Sequence, residues 1–153
     1  MNDEIAVMIG PPGLWTCPLS YAAAPPYGLG KIADLLGMAP TSQVLASDFG
    51  WRVEDVVCTA GPHDPPFEEV HDGMCIAAVT RGTFQYRTGQ GSAVLAPGAL
   101  LLGNDRHCFQ CGHEHAAGDR CLSFHFTREF LEIIVAAVPG ARRAFFSVPH
   151  VPP

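Results

Sequence analysis

From Phe49 onward, short apolar runs rich in Val, Phe, Tyr and Thr alternate with clusters of Gly, Pro and Asp, the texture of a barrel or sandwich. The pattern predicts strands over Trp51 to Cys58, Met74 to Thr80, Thr83 to Arg87, Ser92 to Leu95, Ala99 to Gly103, Cys108 to His115 and Cys121 to Phe126. Thr88-Gly89-Gln90-Gly91 and Ala96-Pro97-Gly98 supply turns, since glycine tolerates positive φ and proline presets the entry angle. Gly61-Pro62-His63-Asp64-Pro65-Pro66 reads as a stiff loop.

After Phe126 the period lengthens to that of a helix. Thr127 opens it, Glu129 and Glu132 sit toward its positive end, and Pro139-Gly140 stops it. Its apolar side holds Phe130, Leu131, Ile133, Ile134, Val135 and Val138, an arc too wide for a lone surface helix. The helix is expected to pack on the barrel or against a second copy, with Phe130, Leu131, Ile134 and Val138 as the candidate dimer face.

Before Phe49 the prolines are dense: Pro11-Pro12, Pro18, Pro25-Pro26 and Pro40 interrupt any long element. A short amphipathic helix from about Leu29 to Met38 is conceivable. The expected organisation is a poorly ordered Pro/Gly/Ala-rich extension over residues 1–46, a β-barrel over 47–126, and a helix with its tail over 127–153.

Composition narrows the function. With 153 residues, 48% of them hydrophobic, the chain can bury one core. A formal net charge of -6 and scattered Lys and Arg leave no basic stripe for a phosphate backbone, which argues against direct nucleic-acid contact. The acidic start Met1-Asn2-Asp3-Glu4 is unlike a secretory signal, and no apolar run is long enough to span a bilayer; a cytoplasmic location is expected. A reducing compartment would make the six cysteines free thiols or metal ligands. Phosphate-cradling loops and Gly-x-Ser-x-Gly elbows are missing from the sequence.

The densest chemistry is Cys108, Cys111, His113, His115, Cys121 and His125, donors that suit zinc or another transition metal. On one strand Cys111, His113 and His115 would share a face, making them the first candidates for a ligand or metal site. Cys108, Cys121, His125 and the loop residue His71 are secondary candidates. If Ala116 to Asp119 close a hairpin, Cys111 faces Phe124 and His113 faces Leu122, which puts Cys111 and His113 inside the barrel and Cys121 and His125 outside. A loop one residue longer would set Cys111 across from His125 and His115 across from Cys121, a five-ligand face with His113, but it strands Phe124 outside, so the first register is favoured. Glu114 alternates to the solvent side, and Asp119 reads as a turn residue. The plainer reading, that these are buried thiols and satisfied histidines, stays open.

Val79-Thr80-Arg81-Gly82-Thr83-Phe84-Gln85-Tyr86, Gly91 to Leu95 and Pro97 to Gly103 together look like the centre of a cupin barrel. Phe109-Gln110-Cys111-Gly112-His113-Glu114-His115 and Gly118 to Phe126 resemble the sensor domain of AraC-type bacterial transcription regulators, over about Val44 to Phe146. The resemblance implies an all-β, cupin-like double-stranded β-helix that binds a small effector, forms a homodimer and is not an enzyme. In that family paired helix-turn-helix motifs further along read DNA, and residues 127–153 have no room for them. Metal-dependent cupin enzymes have a His-x-His and a following Glu before the Pro-Gly turn, with a later His after it. Gly73 to Thr88 holds no histidine, and Gly103-Asn104 stands where the later one would be expected. A metal-dependent cupin enzyme acting on a small polar substrate is therefore the alternative reading, and no cofactor is implied beyond zinc or a similar metal at the Cys/His cluster.

Overall fold

The computed structural model describes residues 40–153. They form β1 (Thr41–Asp48), β2 (Trp51–Cys58), β3 (Phe67–Val70), β4 (Met74–Gly82), β5 (Phe84–Thr88), β6 (Gly91–Leu95), β7 (Leu100–Gly103), β8 (Cys108–Gly112), β9 (Asp119–Phe126), helix α1 (Arg128–Ala137) and β10 (His150–Val151). The strands make two antiparallel sheets, one of six in the order β1-β2-β9-β4-β7-β10 and one of four in the order β3-β8-β5-β6. This is the all-β fold anticipated from the strand pattern, in the cupin-like double-stranded β-helix form that the resemblance implied, followed by a single helix.

The period of two decides what faces inward. Cys75, Ala77 and Val79 of β4, Phe84 and Tyr86 of β5, Phe109 and Cys111 of β8, and Cys121 of β9 meet in one buried cluster between the sheets. The opposite face of the larger sheet carries a second, smaller cluster. There Met74, fully buried, packs with Leu131 of α1 and Ala144, flanked by Phe126, Val135 and Phe146. Thr127 caps α1, its hydroxyl accepting from the Phe130 amide at 3.2 Å. Phe130 stacks on Phe126, with ring centroids 6.2 Å apart.

The chain crosses from one sheet to the other between β8 and β9, and this overturns the expected hairpin. β8 pairs with β3 and β5, whereas β9 pairs with β2 and β4. Strand β8 ends at Gly112, so His113 to Gly118 belong to the crossing rather than to a strand. In β9 the odd positions Asp119, Cys121, Ser123 and His125 face the barrel interior, the reverse of the expected register. Phe124 made the wrong register attractive, yet the inner face of β9 carries Asp119, Cys121, Ser123 and His125, and the apolar Phe126 packs beneath α1 on the opposite face.

Three strands lie where loops or an extension were expected. β1 begins at Thr41, inside the stretch up to residue 46, and all eight of its residues are exposed, so no apolar alternation marks it. β3 has four residues and follows Pro65-Pro66. β10 pairs only two residues with β7 at the sheet edge, between prolines that a central strand would reject. The conceivable helix from Leu29 to Met38 lies outside the described residues. Among the described residues, no helix is long and apolar enough to cross a membrane.

Candidate functional site

A cavity of about 250 Å³ lies between the two sheets. Its apolar body comes from Val56, Phe67, Ala77, Phe84, Leu101 and Phe109. Into it the inward positions of β2, β3 and β9 bring polar groups: Glu54, Glu69, Asp119, Ser123 and His125. All four cysteines that stand as free thiols, Cys58, Cys75, Cys111 and Cys121, are buried and line the same space. Burial disfavours the thiolate. It raises Cys58 and Cys111 above the ordinary thiol value and pushes Cys75 to about 11 and Cys121 to about 12. These thiols are therefore protonated at neutral pH, and Cys75 Sγ shares a 3.4 Å contact with the Ser123 hydroxyl.

At the end of the barrel where the chain crosses between sheets, His113 Nε2 and Asp119 Oδ2 are 2.6 Å apart, both side chains buried. The β2–β9 register places Cys58 directly across from Asp119, and the β4–β9 register places Gly82 across from it too. Gly82 has φ +77, and a Cβ there would collide with the backbone of Gly118 and Asp119. Only glycine allows the crossing to press so closely against β4 and deliver Asp119 to the cavity wall. The Cys58, His113 and Asp119 ligand atoms lie within 4.8 Å of one another, and the Cys121 thiol donates to Asp119 Oδ1 at 3.7 Å. Burial raises the Asp119 carboxyl above the usual carboxylate range, and the bond from His113 opposes that rise.

Toward the other end, the His71 ring stacks on Phe109 with centroids 4.2 Å apart, and its Nε2 lies 2.9 Å from the Tyr86 hydroxyl. The ring covers Gly103 so closely that a Cβ there would meet the imidazole. Burial holds His71 down to about 4, so the ring is neutral. At the rim Arg52 Nε donates to Glu54 at 2.8 Å and its Nη2 to Asp72 at 3.1 Å. His125 Nε2 comes within 3.4 Å of Glu54, a contact without hydrogen-bond alignment. Burial, assisted by the Arg52 charge, lowers the His125 pKa.

Of the three first candidates, Cys111 faces the cavity, His113 is buried at its end, and His115 is exposed on the crossing. The face those three were expected to share does not exist, because the strand stops at Gly112. Cys121 and His125 line the cavity from β9, against the expectation that they point outward. His71 lies in the loop before β4, as expected, and is buried in the cavity wall; Cys108 is half-buried and disulfide-bonded, which overturns the expectation that the six cysteines are free thiols or metal ligands. Glu114 is exposed, as alternation suggested. Cys58 and Asp119 were not singled out as ligands by local spacing, since a partner 61 positions away in the chain brings Cys58 to Asp119. On α1, Leu131 is buried in the chain's own core and Phe130 is half-buried, while Ile134 and Val138 are exposed.

Neither a family model nor a curated protein matches the chain. Among solved structures it is similar to a cupin superfamily protein from Desulfitobacterium hafniense, at 13% identity and a TM-score of 0.48 over 57% of this chain and 77% of that one. It is also similar to the EutQ protein of Clostridium difficile, at 11% identity and a TM-score of 0.49 over 57% and 68% of the two chains. A cupin domain of an XRE family transcriptional regulator from Enterobacter cloacae gives 12% identity and a TM-score of 0.48, covering 57% of this chain and 96% of that one. These likenesses concern the fold, and no residue's role passes through them.

Proposed function

We propose that this chain is a small-molecule sensing barrel, the effector-binding and dimerising half of an AraC-type regulator, which neither catalyses a reaction nor touches DNA itself. One observation carries the reading: the stretch from Phe109 to Phe126 that resembles the regulators supplies much of the cavity lining, through Phe109, Cys111, Asp119, Cys121, Ser123 and His125. The cavity is near the small end of ligand pockets, which run from about 300 Å³ upward. Its wall is mostly apolar, and its polar groups include Glu54, which Arg52 holds, and Asp119, which His113 holds. The favoured effector is therefore a small molecule with an apolar body and a few hydrogen-bonding groups.

The sensing reading is tested by thermal shift with a panel of small metabolites, on the wild type and on Ala77→Phe. Phenylalanine at position 77 projects into the cavity. A compound that raises the melting temperature of the wild type and leaves Ala77→Phe unmoved supports the reading. Stabilisation that is equal in both proteins, or no stabilisation by any of the compounds, overturns it. Recovery of the bound compound in chemically altered form would favour the cupin-enzyme alternative instead.

A further inference from the structure

We propose that Cys58, His113 and Asp119 form a binding site for a divalent zinc-type cation in the cavity wall, with Cys121 beside it as a fourth donor. The three groups come from separate segments: the last residue of β2, the crossing after β8 and the first residue of β9. All are buried, and their ligand atoms lie within 4.8 Å of one another. A thiolate, an imidazole nitrogen and a carboxylate oxygen are a mixed donor set suited to zinc and its late first-row neighbours. It holds no neutral oxygen donor of the kind that calcium sites collect.

Charge supports the assignment. A coordinated Cys58 thiolate and the Asp119 carboxylate carry two negative charges, which one divalent cation cancels, and a neutral cluster is the kind that a protein interior tolerates. Cys58 gives up its thiol proton to solvent on coordination, and no oxidation or reduction is involved. Geometry requires a small adjustment. Zn–N and Zn–O bonds of about 2.0–2.1 Å in a tetrahedron hold ligand atoms about 3.3 Å apart. His113 Nε2 and Asp119 Oδ2, now 2.6 Å apart across a shared hydrogen, would part by less than an ångström (about 0.7 Å) as the cation takes that hydrogen's place and the neutral imidazole carries its proton on Nδ1 instead. Cys121 Sγ, 3.7 Å from Asp119 Oδ1, is near enough to become the fourth donor, in which case it too releases its thiol proton to solvent and the cluster carries one net negative charge; while it stays a thiol, a coordination position is open to the cavity.

The site deepens the sensing-barrel reading, because it adds a cation to the wall of the same cavity, but it needs no organic effector. The competing explanation is that the His113–Asp119 pair merely fastens the crossing. The experiment uses the full chain, purified without a His-tag, fully reduced and stripped of metal, and titrated with Zn²⁺ against a chromophoric chelator, then with Co²⁺. One Zn²⁺ per chain is expected, together with a Co²⁺ spectrum that shows thiolate charge transfer and tetrahedral ligand-field bands. Cys58→Ser and Asp119→Asn should each weaken Zn²⁺ more than about tenfold, while Cys75→Ser, whose thiol contacts Ser123 instead, should bind like the wild type. Zn²⁺ binding equal in Cys58→Ser, Asp119→Asn and the wild type overturns the site. So does a folded, reduced wild type that takes up no Zn²⁺, or a Co²⁺ complex without a thiolate band, and neither result depends on a variant folding. Ala77→Phe separates the two readings, since it fills the cavity and replaces none of the three ligands: an effector response lost with Zn²⁺ binding retained supports both readings, whereas Zn²⁺ binding by a wild type that no compound stabilises leaves the cation site standing alone.

Discussion

His71 Nε2 lies 2.9 Å from the hydroxyl of Tyr86, a residue with no exposed surface. The Tyr86 hydroxyl also reaches the Leu102 carbonyl at 3.4 Å, so tyrosine can donate there while the neutral imidazole donates to the phenol oxygen. The pair is a buried polar contact between the two sheets, and its members have few alternative partners.

Stability should therefore depend on pH through His71. Its folded pKa of about 4 lies below the ordinary histidine value, so the unfolded chain takes up the proton first. The neutral ring's contribution is fully present above about pH 6.5 and is lost as pH falls toward 4, to the extent of about 3 kcal/mol. Denaturant titrations between pH 8 and pH 4 should show His71→Gln losing less stability across that window than the wild type. Parallel pH profiles would contradict the prediction.

Gly103→Ala should be destabilising by about 1–3 kcal/mol, because the new methyl group would enter the His71 ring and push it off Phe109 and Tyr86. The cost belongs to the pair rather than to strand β7. In a His71→Ala background the same substitution should cost at least about 1 kcal/mol less, a coupling measurable by a double-mutant cycle in urea. Additive effects would place the strain elsewhere.

The strand framework from Trp51 to Phe126 is legible in the sequence because its buried strands alternate apolar and polar residues between Gly and Pro turns. β1 is not, because Thr41 to Asp48 lie exposed on an edge and burial imposes no pattern on them. The site is half legible. His113 and Cys111 stand out as donors in one short stretch, but which face they take depends on β8 and β9 belonging to different sheets, and a two-residue period cannot reveal a crossing. Cys58 meets Asp119 through the register of β2 on β9, a pairing distant in sequence. Asp119 looks like a turn residue because it follows Gly118, yet Gly82 makes room for it to open a strand.

Helix α1 leaves Ile133, Ile134 and Val138 exposed while Leu131 is buried against Met74 and Ala144. If a second copy covers that face, as the sensing reading requires, Ile133→Glu with Ile134→Glu should convert a dimer into a monomer in sedimentation equilibrium and leave the barrel's thermal unfolding within a few degrees of the wild type. Leu131→Ala acts on the chain's own core instead, and should cost about 2–5 kcal/mol. An unchanged sedimenting mass for the double glutamate variant would remove α1 from the dimer face.

Asn104 holds the segment after α1 onto the barrel. Its side chain is buried, with Oδ1 accepting from the Phe146 amide at 2.8 Å and Nδ2 donating to the Phe146 carbonyl at 2.9 Å and to Gln90 Oε1 at 3.2 Å. Gln90 Nε2 donates to the same carbonyl, so one asparagine and one glutamine satisfy both backbone groups of Phe146. Asn104→Ala leaves the Phe146 amide without its acceptor and should destabilise the protein by about 1–3 kcal/mol. The loss should be local before it is global, because Phe146 packs beside Met74 and Leu131 and β10 pairs only two residues with β7. Hydrogen exchange should therefore quicken over residues 144–151 in Asn104→Ala while β4 and β9 keep their protection. Equal acceleration throughout the larger sheet would show that the tail and the barrel open as one unit.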